Sequence, residues 1–239
     1  GWSAREIMPL FAVIEDDVVF GSVDGHGRGG PLPVYRAPID RWGPVDRGLR
    51  DAALACGYPW CADVNGADGE GVACYPINSR DSRRISTNEA YLEPARDRLN
   101  LEIRGHALVD RVIFEGGRAT GVRVHIQGHG TQEIKAREIV LCAGAIHSPA
   151  LLLRSGVGPA DELQSMGIPV EADLPVGRNF FDHPLFRATI QLREELRPAD
   201  PDTRHTNCGV TYSSGLAAGG KRDMLLIAFN HRGLGVPGA

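Results

Sequence analysis

The sequence predicts a mixed α/β (α+β) fold, and three observations carry that reading. Apolar residues recur at helical spacing over 46–56 and 148–166. From residue 100, short β-branched runs alternate with glycine turns, the pattern of an antiparallel meander. A nearly unbroken apolar run, 138–145, then leads into a Ser-Pro helix start, as a buried strand feeding a helix does.

Each element follows in order. Residues 3–11 (SAREIMPLF) predict a short amphipathic helix whose length Pro9 limits. Residues 18–36 alternate apolar runs with glycine. Over 46–56 (DRGLRDAALAC), Leu49, Ala52, Ala53 and Cys56 share a helix face and Gly57 is the stop. Residues 61–80 have no period and are rich in Gly, Asp and Asn, so a long ordered loop is expected. Ser86 or Thr87 caps a helix, with Glu89 two or three residues on, that carries Ala90, Tyr91 and Leu92 into the core and ends near Arg98; Pro94 bends or shortens it.

The segments LEIRG, LVDRVIF, ATGVRVHI and EIKA read as strands, with turns at Glu115-Gly116-Gly117 and Gly128-His129-Gly130. Val122, Val124 and Ile126 face one way, Arg123 and His125 the other. EIVLCAGA has no outward polar position after Glu138, which predicts a strand covered on both faces. Ser148 is then expected to cap a helix with Pro149 first in it and Gly156 as its stop. A second helix starts at Pro159, turns Leu163 inward and stops at Gly167. Residues 174–184 read as a loop, and strand-like stretches follow at 186–193, 208–212 and 223–230. The opening on Gly1 and the close at GVPGA read as cuts within a longer protein.

Composition narrows the function. With 42% hydrophobic residues the chain buries a real core, and a scattered net charge of −4 excludes a nucleic-acid-binding face. No run approaches the ~18 apolar residues of a spanning helix, and the start (GWSAREIMPL) lacks a basic n-region. Cys56, Cys61, Cys74, Cys142 and Cys208 are an odd number without framework spacing, so free thiols and a cytoplasmic location are expected.

Several motifs point nowhere. Gly25-His-Gly27-Arg-Gly29-Gly30 matches the dinucleotide fingerprint literally, but Pro31 and Pro33 prevent the helix that would receive a pyrophosphate, leaving a surface turn. His125 and His129 lie on a strand and its turn, where a separation of four points them apart, so no metal site is assigned. There is no GxSxG elbow. Residues 138–158 are different. Ala143-Gly144-Ala145 have almost no side chain, so a nucleotide cofactor can approach the main chain there, and the following helix offers unpaired N–H groups. A tight crossover without ligand fits the same residues.

The stretch from Gly144 through His147, Ser148-Pro149, Leu151–Leu153 and Ser155-Gly156-Val157-Gly158 resembles the second signature of the glucose–methanol–choline (GMC) oxidoreductases. HGRGGPLPV at 26–34, SRRISTNEAYL at 82–92, NLEIRGHALVDRVIF at 100–114, GRATGV at 117–122 and DLPVGRNFFDHP at 173–184 resemble the same family. The resemblance implies an FAD-binding lobe, here part of it over 1–184, and an antiparallel-sheet substrate lobe beginning over 185–239. It implies FAD, with the adenine contact on the main chain of Val109 and with Cys142, Ala143 and Gly144 beside the cofactor. Asn179, Asp182 and His183 would mark the return to the substrate lobe, in structural roles. The implied activity is choline dehydrogenase-like: hydride passes from a small-molecule alcohol to flavin N5, and oxygen or a quinone- or dye-like acceptor takes the electrons. The family's Gly-rich fingerprint is expected upstream of Gly1 and its catalytic His pair beyond Ala239. No catalytic residue is therefore assigned, and His147, His183, His205 and His231 do not sit in that motif. A lyase or decarboxylase on the same scaffold, and a non-catalytic or split subunit, stay open.

Overall fold

The computed structural model describes residues 2–197 and 204–230; His231 and the GVPGA close lie outside the described residues. The N-terminal part forms α1 (Ala4–Ile14), β1 (Glu15–Asp17), β2 (Leu32–Val34), α2 (Pro44–Ala55), β3 (Gly71–Cys74), the short pair β4 (Ser79–Arg80) and β5 (Arg83–Arg84), and a π turn (Asn88–Leu92) that runs into α3 (Glu93–Ala95). The middle carries β6 (Ala107–Glu115), β7 (Arg118–Ile126), β8 (Gly130–Lys135), α4 (Gly144–Arg154), β9 (Val157–Gly158), α5 (Ala160–Ser165) and β10 (Ala172–Asp173). β11 (Cys208–Tyr212) and β12 (Met224–Ile227) follow. Two compact units result, 102–188 and 1–101 with 189–239.

Unit 102–188 is built on the meander. The strands run β6-β7-β8, all antiparallel, with Val109 opposite Val124 and Val122 opposite Ile134. Val112 and Val124 are buried, as are Leu151 on α4 and Leu163 on α5. A serine stitches strand to helix: Ser155 Oγ donates to the Leu151 carbonyl at 2.6 Å and accepts from the Val112 N–H at 2.8 Å. This gives a buried hydroxyl both its roles.

Four readings in and around this unit are corrected. EIVLCAGA is not a strand: 138–142 have no regular structure and no ladder partner among the described residues, and Val140 is 75% exposed. An apolar run states that a segment prefers burial; it does not supply the neighbour. Helix α4 begins at Gly144, four residues before Ser148, and Pro149 lies inside it. Ser148 Oγ instead accepts from the Ala143 N–H at 3.0 Å, and Pro149 forfeits only its own bond back to Ala145. LEIRG and 186–193 form no strand.

The other unit centres on an antiparallel sheet ordered β12-β11-β3, with Cys208 opposite Cys74 and Val210 opposite Val72. Trp42, Ala53, Val72, Cys74, Cys208, Val210 and Ala228 form its core. The loop expected over 61–80 thus contains a fully buried strand, β3; four small residues are too few to display a period. Helix α2 matches its expected range, but Asp46 and Ala53 are its buried positions, while Ala52 and Cys56 face solvent. Helix α1 continues past Pro9 to Ile14 and buries no residue. At 88–95 only Ala90 is buried; Tyr91 and Leu92 are exposed, because the helix breaks into a π turn and one α turn.

Candidate functional site

The sequence-derived site lies within unit 102–188. Strand β6 is an edge strand, and the Gln127 N–H donates to the His106 carbonyl at 3.1 Å. That bond sets the phase of the ladder: Val109 and Val124 form a non-hydrogen-bonded pair, so the Val109 N–H and C=O point away from β7. Just beyond, the register shifts between Val109 and Arg111, and the freed Asp110 carbonyl accepts from Arg154 Nε at 2.9 Å. An open pocket beside this edge is lined by Leu108, Val109, Asp110, Arg123, His147 and Arg154. The structure therefore brings Val109 to one concavity with His147 and Arg154 of α4, whereas Cys142, Ala143 and Gly144 do not line it.

Cys142 is exposed, with a free thiol. Ala143 occupies the N-cap of α4 and Gly144 has φ +82°, the left-handed region. A Cβ on Gly144 would meet nothing within 4 Å. Glycine stands there because the backbone must turn, and the space in front of it is open. The N–H groups of the first turn have no carbonyl four residues back, and the helix dipole adds partial positive charge. An outward N–H/C=O pair on a strand edge beside His147 and Arg154, and an uncrowded main chain at Gly144, are two separate features compatible with the adenosine half of FAD.

Asn179 takes φ +54°, and the side chains of Asp182 and His183 face solvent. His125 Nδ1 lies 3.4 Å from Thr131 Oγ1 on the neighbouring strand, an ordinary cross-strand contact.

Sequence reasoning missed two buried polar centres in the other unit. Asp46, fully buried, accepts on Oδ1 from the N–H groups of Asn207 and Cys208, each at 2.9 Å. Its Oδ2 accepts from the Gly43 N–H at 3.1 Å, from Asn207 Nδ2 at 2.7 Å and from Asn230 Nδ2. Burial, with the Asp46 charge adding to it, pushes the neighbouring Cys208 thiol up to about 12. The second centre gathers Glu15, Asp17, His26, Arg36 and Asp63. Arg36 bridges Asp17 at 2.7 Å and Asp63 at 3.1 Å, while His26 bridges Glu15 at 3.2 Å and Asp63 at 2.8 Å. Burial raises the Asp17 pKa, but the Phe20 and Val19 N–H groups and Arg36 outweigh it and hold this carboxyl below the usual range. Glu15, Asp17 and His26 bring three ligand-type atoms within 4.8 Å of one another, and Arg36 pairs with Asp17 and Asp63 in the same group, which is an ion-pair network.

The glycine motif at 25–30 starts no helix, as expected, yet it is more than a surface turn. Gly27 is buried, and a Cβ there would run into the Ala12 carbonyl. The readable signal was the company of His26: Glu15, Asp16 and Asp17 before it and Arg36 after it, charges set among apolar runs.

The mixed helix-and-sheet arrangement is that of FAD-binding oxidoreductases. Residues 1–185 match the model of the GMC oxidoreductases, and the chain belongs to that family. It is 35% identical over 233 residues to a 5-(hydroxymethyl)furfural oxidase of Methylovorus sp. (strain MP688), covering 95% of this chain and 43% of that protein. It is 43% identical over 187 residues to an oxygen-dependent choline dehydrogenase of Pectobacterium carotovorum, covering 76% of this chain and 33% of that one. The crystal structure of pyridoxine 4-oxidase from Mesorbium loti superposes with a TM-score of 0.79 at 33% identity, over 95% of this chain and 44% of that chain. The chain thus spans less than half the length of these relatives. No helix among the described residues is long and apolar enough to cross a membrane.

Proposed function

We propose that this chain contributes the adenosine-facing part of an FAD-dependent oxidoreductase that converts the CH–OH group of a small-molecule alcohol to a carbonyl. The observation that carries the reading is the edge of β6: the main chain of Val109 offers one donor and one acceptor side by side, the complement of an adenine edge. Bound FAD would supply the hydride acceptor. The chain's own residues hold and orient. Val109 would hold the adenine, the first turn of α4 would offer N–H groups to negatively charged oxygen, and Ala143 and Gly144 would leave the main chain bare for contact. Residues 1–184 would belong to the FAD lobe; 185–239 would open the substrate-side antiparallel sheet, in which β3 shares. Oxygen or a quinone-like compound would accept the electrons, and five unpaired thiols support a reducing, cytoplasmic setting.

No residue of this chain is assigned as the base that takes the alcohol proton, so the chain alone is expected to show no turnover and to hold FAD weakly. Titration with AMP, followed by amide NMR, tests the reading. The Val109 and Asp110 amides and those of 143–145 should move together, while riboflavin 5′-phosphate leaves Val109 in place. Gly144→Val should weaken the response by distorting the turn into α4. Unmoved Val109 and Gly144 amides at saturating AMP, with shifts elsewhere, would sink the assignment.

A further inference from the structure

The ion-pair network around His26 sits on a wall of a second open pocket. Glu15 and the 64–65 turn line that pocket together with Phe11, Leu32, Tyr75 and Thr211. His26 ties these two walls to each other. Its ring, with the side chain only 5% exposed, places Nδ1 at 3.2 Å from Glu15 Oε2 and Nε2 at 2.8 Å from Asp63 Oδ2. Nδ1 also lies 3.8 Å from Asp17 Oδ2.

Ionised carboxylate oxygens only accept hydrogen bonds, and a neutral imidazole donates from one nitrogen only. Both contacts are satisfied together only when both ring nitrogens carry protons. The charges facing the ring are Glu15 and Asp17 from β1, Asp63 from the loop between α2 and β3, and Arg36, which is committed to Asp17 and Asp63. Three carboxylates against one guanidinium leave room for a second cation, and the imidazolium supplies it. Phe20 closes the group from outside: its ring centroid is 5.9 Å from that of His26 and 4.6 Å from the Arg36 guanidinium carbon.

We propose that His26 is a proton-operated latch that fastens the glycine loop 21–30 to β1 and to the 63–66 turn. With the ring doubly protonated, the loop is held. Loss of one proton turns a lone pair toward a carboxylate, and the longer contact, to Glu15, is the one that opens. Three main-chain bonds report the closed state: the Gly27 N–H on Glu15 Oε2 at 2.8 Å, the Asp17 N–H on the Gly27 carbonyl at 2.9 Å and the Gly30 N–H on the Glu15 carbonyl at 2.9 Å. Because Glu15 also lines the pocket, opening the latch changes that pocket's wall.

The direction follows from the contacts: the latch is closed while both ring nitrogens carry protons and opens when one is lost. The test is hydrogen exchange on the 239-residue chain from pH 5 to pH 9, expressed as protection factors, alongside ¹⁵N shifts of the His26 ring. Protection at Asp17, Gly27 and Gly30 should fall by roughly tenfold or more in step with loss of the second ring proton, and His26→Gln should abolish that pH dependence. Asp63→Asn, which keeps shape while removing one acceptor charge, should move the transition to lower pH. Protection that does not change with pH, a ring already singly protonated at pH 5, or the same pH dependence in His26→Gln would each overturn the latch.

Discussion

Asp46→Ala should be among the most damaging single substitutions in this chain. The carboxylate receives the N–H groups of Gly43, Asn207 and Cys208 and the side-chain amides of Asn207 and Asn230, all in a buried site. The two amide side chains can turn to other acceptors; the three main-chain N–H groups cannot. At about 1–2 kcal/mol for each buried donor left unsatisfied, the loss is about 4 kcal/mol. For a unit of this size, that corresponds to a fall in Tm of about 8–16 °C. Asp46→Asn keeps the volume and one oxygen, so about half the effect is expected. Urea unfolding monitored at Trp42, which is buried in the same unit, measures both variants. An Asp46→Ala protein within about 1 kcal/mol of the parent would refute the argument that this carboxylate organises the unit.

Two further outcomes are expected. Under native conditions, iodoacetamide followed by mass spectrometry should modify Cys56 and Cys142, which are exposed, and spare Cys61, Cys74 and Cys208, whose thiols burial pushes up. Three or more rapid modifications in the folded chain would contradict that. Glu89 accepts from the hydroxyl and the N–H of Ser86, and its pKa is lowered from 4.5 to about 2, the side-chain bond from Ser86 being the largest cause. A depressed carboxylate contributes above its unfolded pKa and loses that contribution as pH falls through its folded value. The Ser86–Glu89 cap should therefore persist at pH 4 and release near pH 2, as read from the Glu89 carboxyl carbon shift. Titration near pH 4.5 would show that the cap is not formed in solution.

Much of unit 102–188 was legible because its determinants are local. The alternation over 107–126 and the Gly116-Gly117 and Gly128–Gly130 turns specify strands and register within a few residues of one another. The glycines at 156 and 167 likewise end α4 and α5 where expected, at φ +86° and +70°. The family was legible for the same reason, since its signature is a contiguous string. What failed was burial. EIVLC reads as an interior strand, but a local pattern supplies no pairing neighbour, and none pairs with it among the described residues.

By itself, then, the sequence determined the mixed α/β class, the meander, the family and the glycine that lets the chain turn at 144. Only the tertiary structure decided that Asp46 is a buried anchor, because its partners Asn207, Cys208 and Asn230 stand 161 to 184 residues further along the chain. It alone decided that Val109 turns its main chain outward, which depends on the phase of pairing with β7, and that His26 lies between two carboxylates. The physical reason is common to all three. A side chain's charge state and a peptide's free donor depend on which groups converge on them in space, and that convergence is a property of topology.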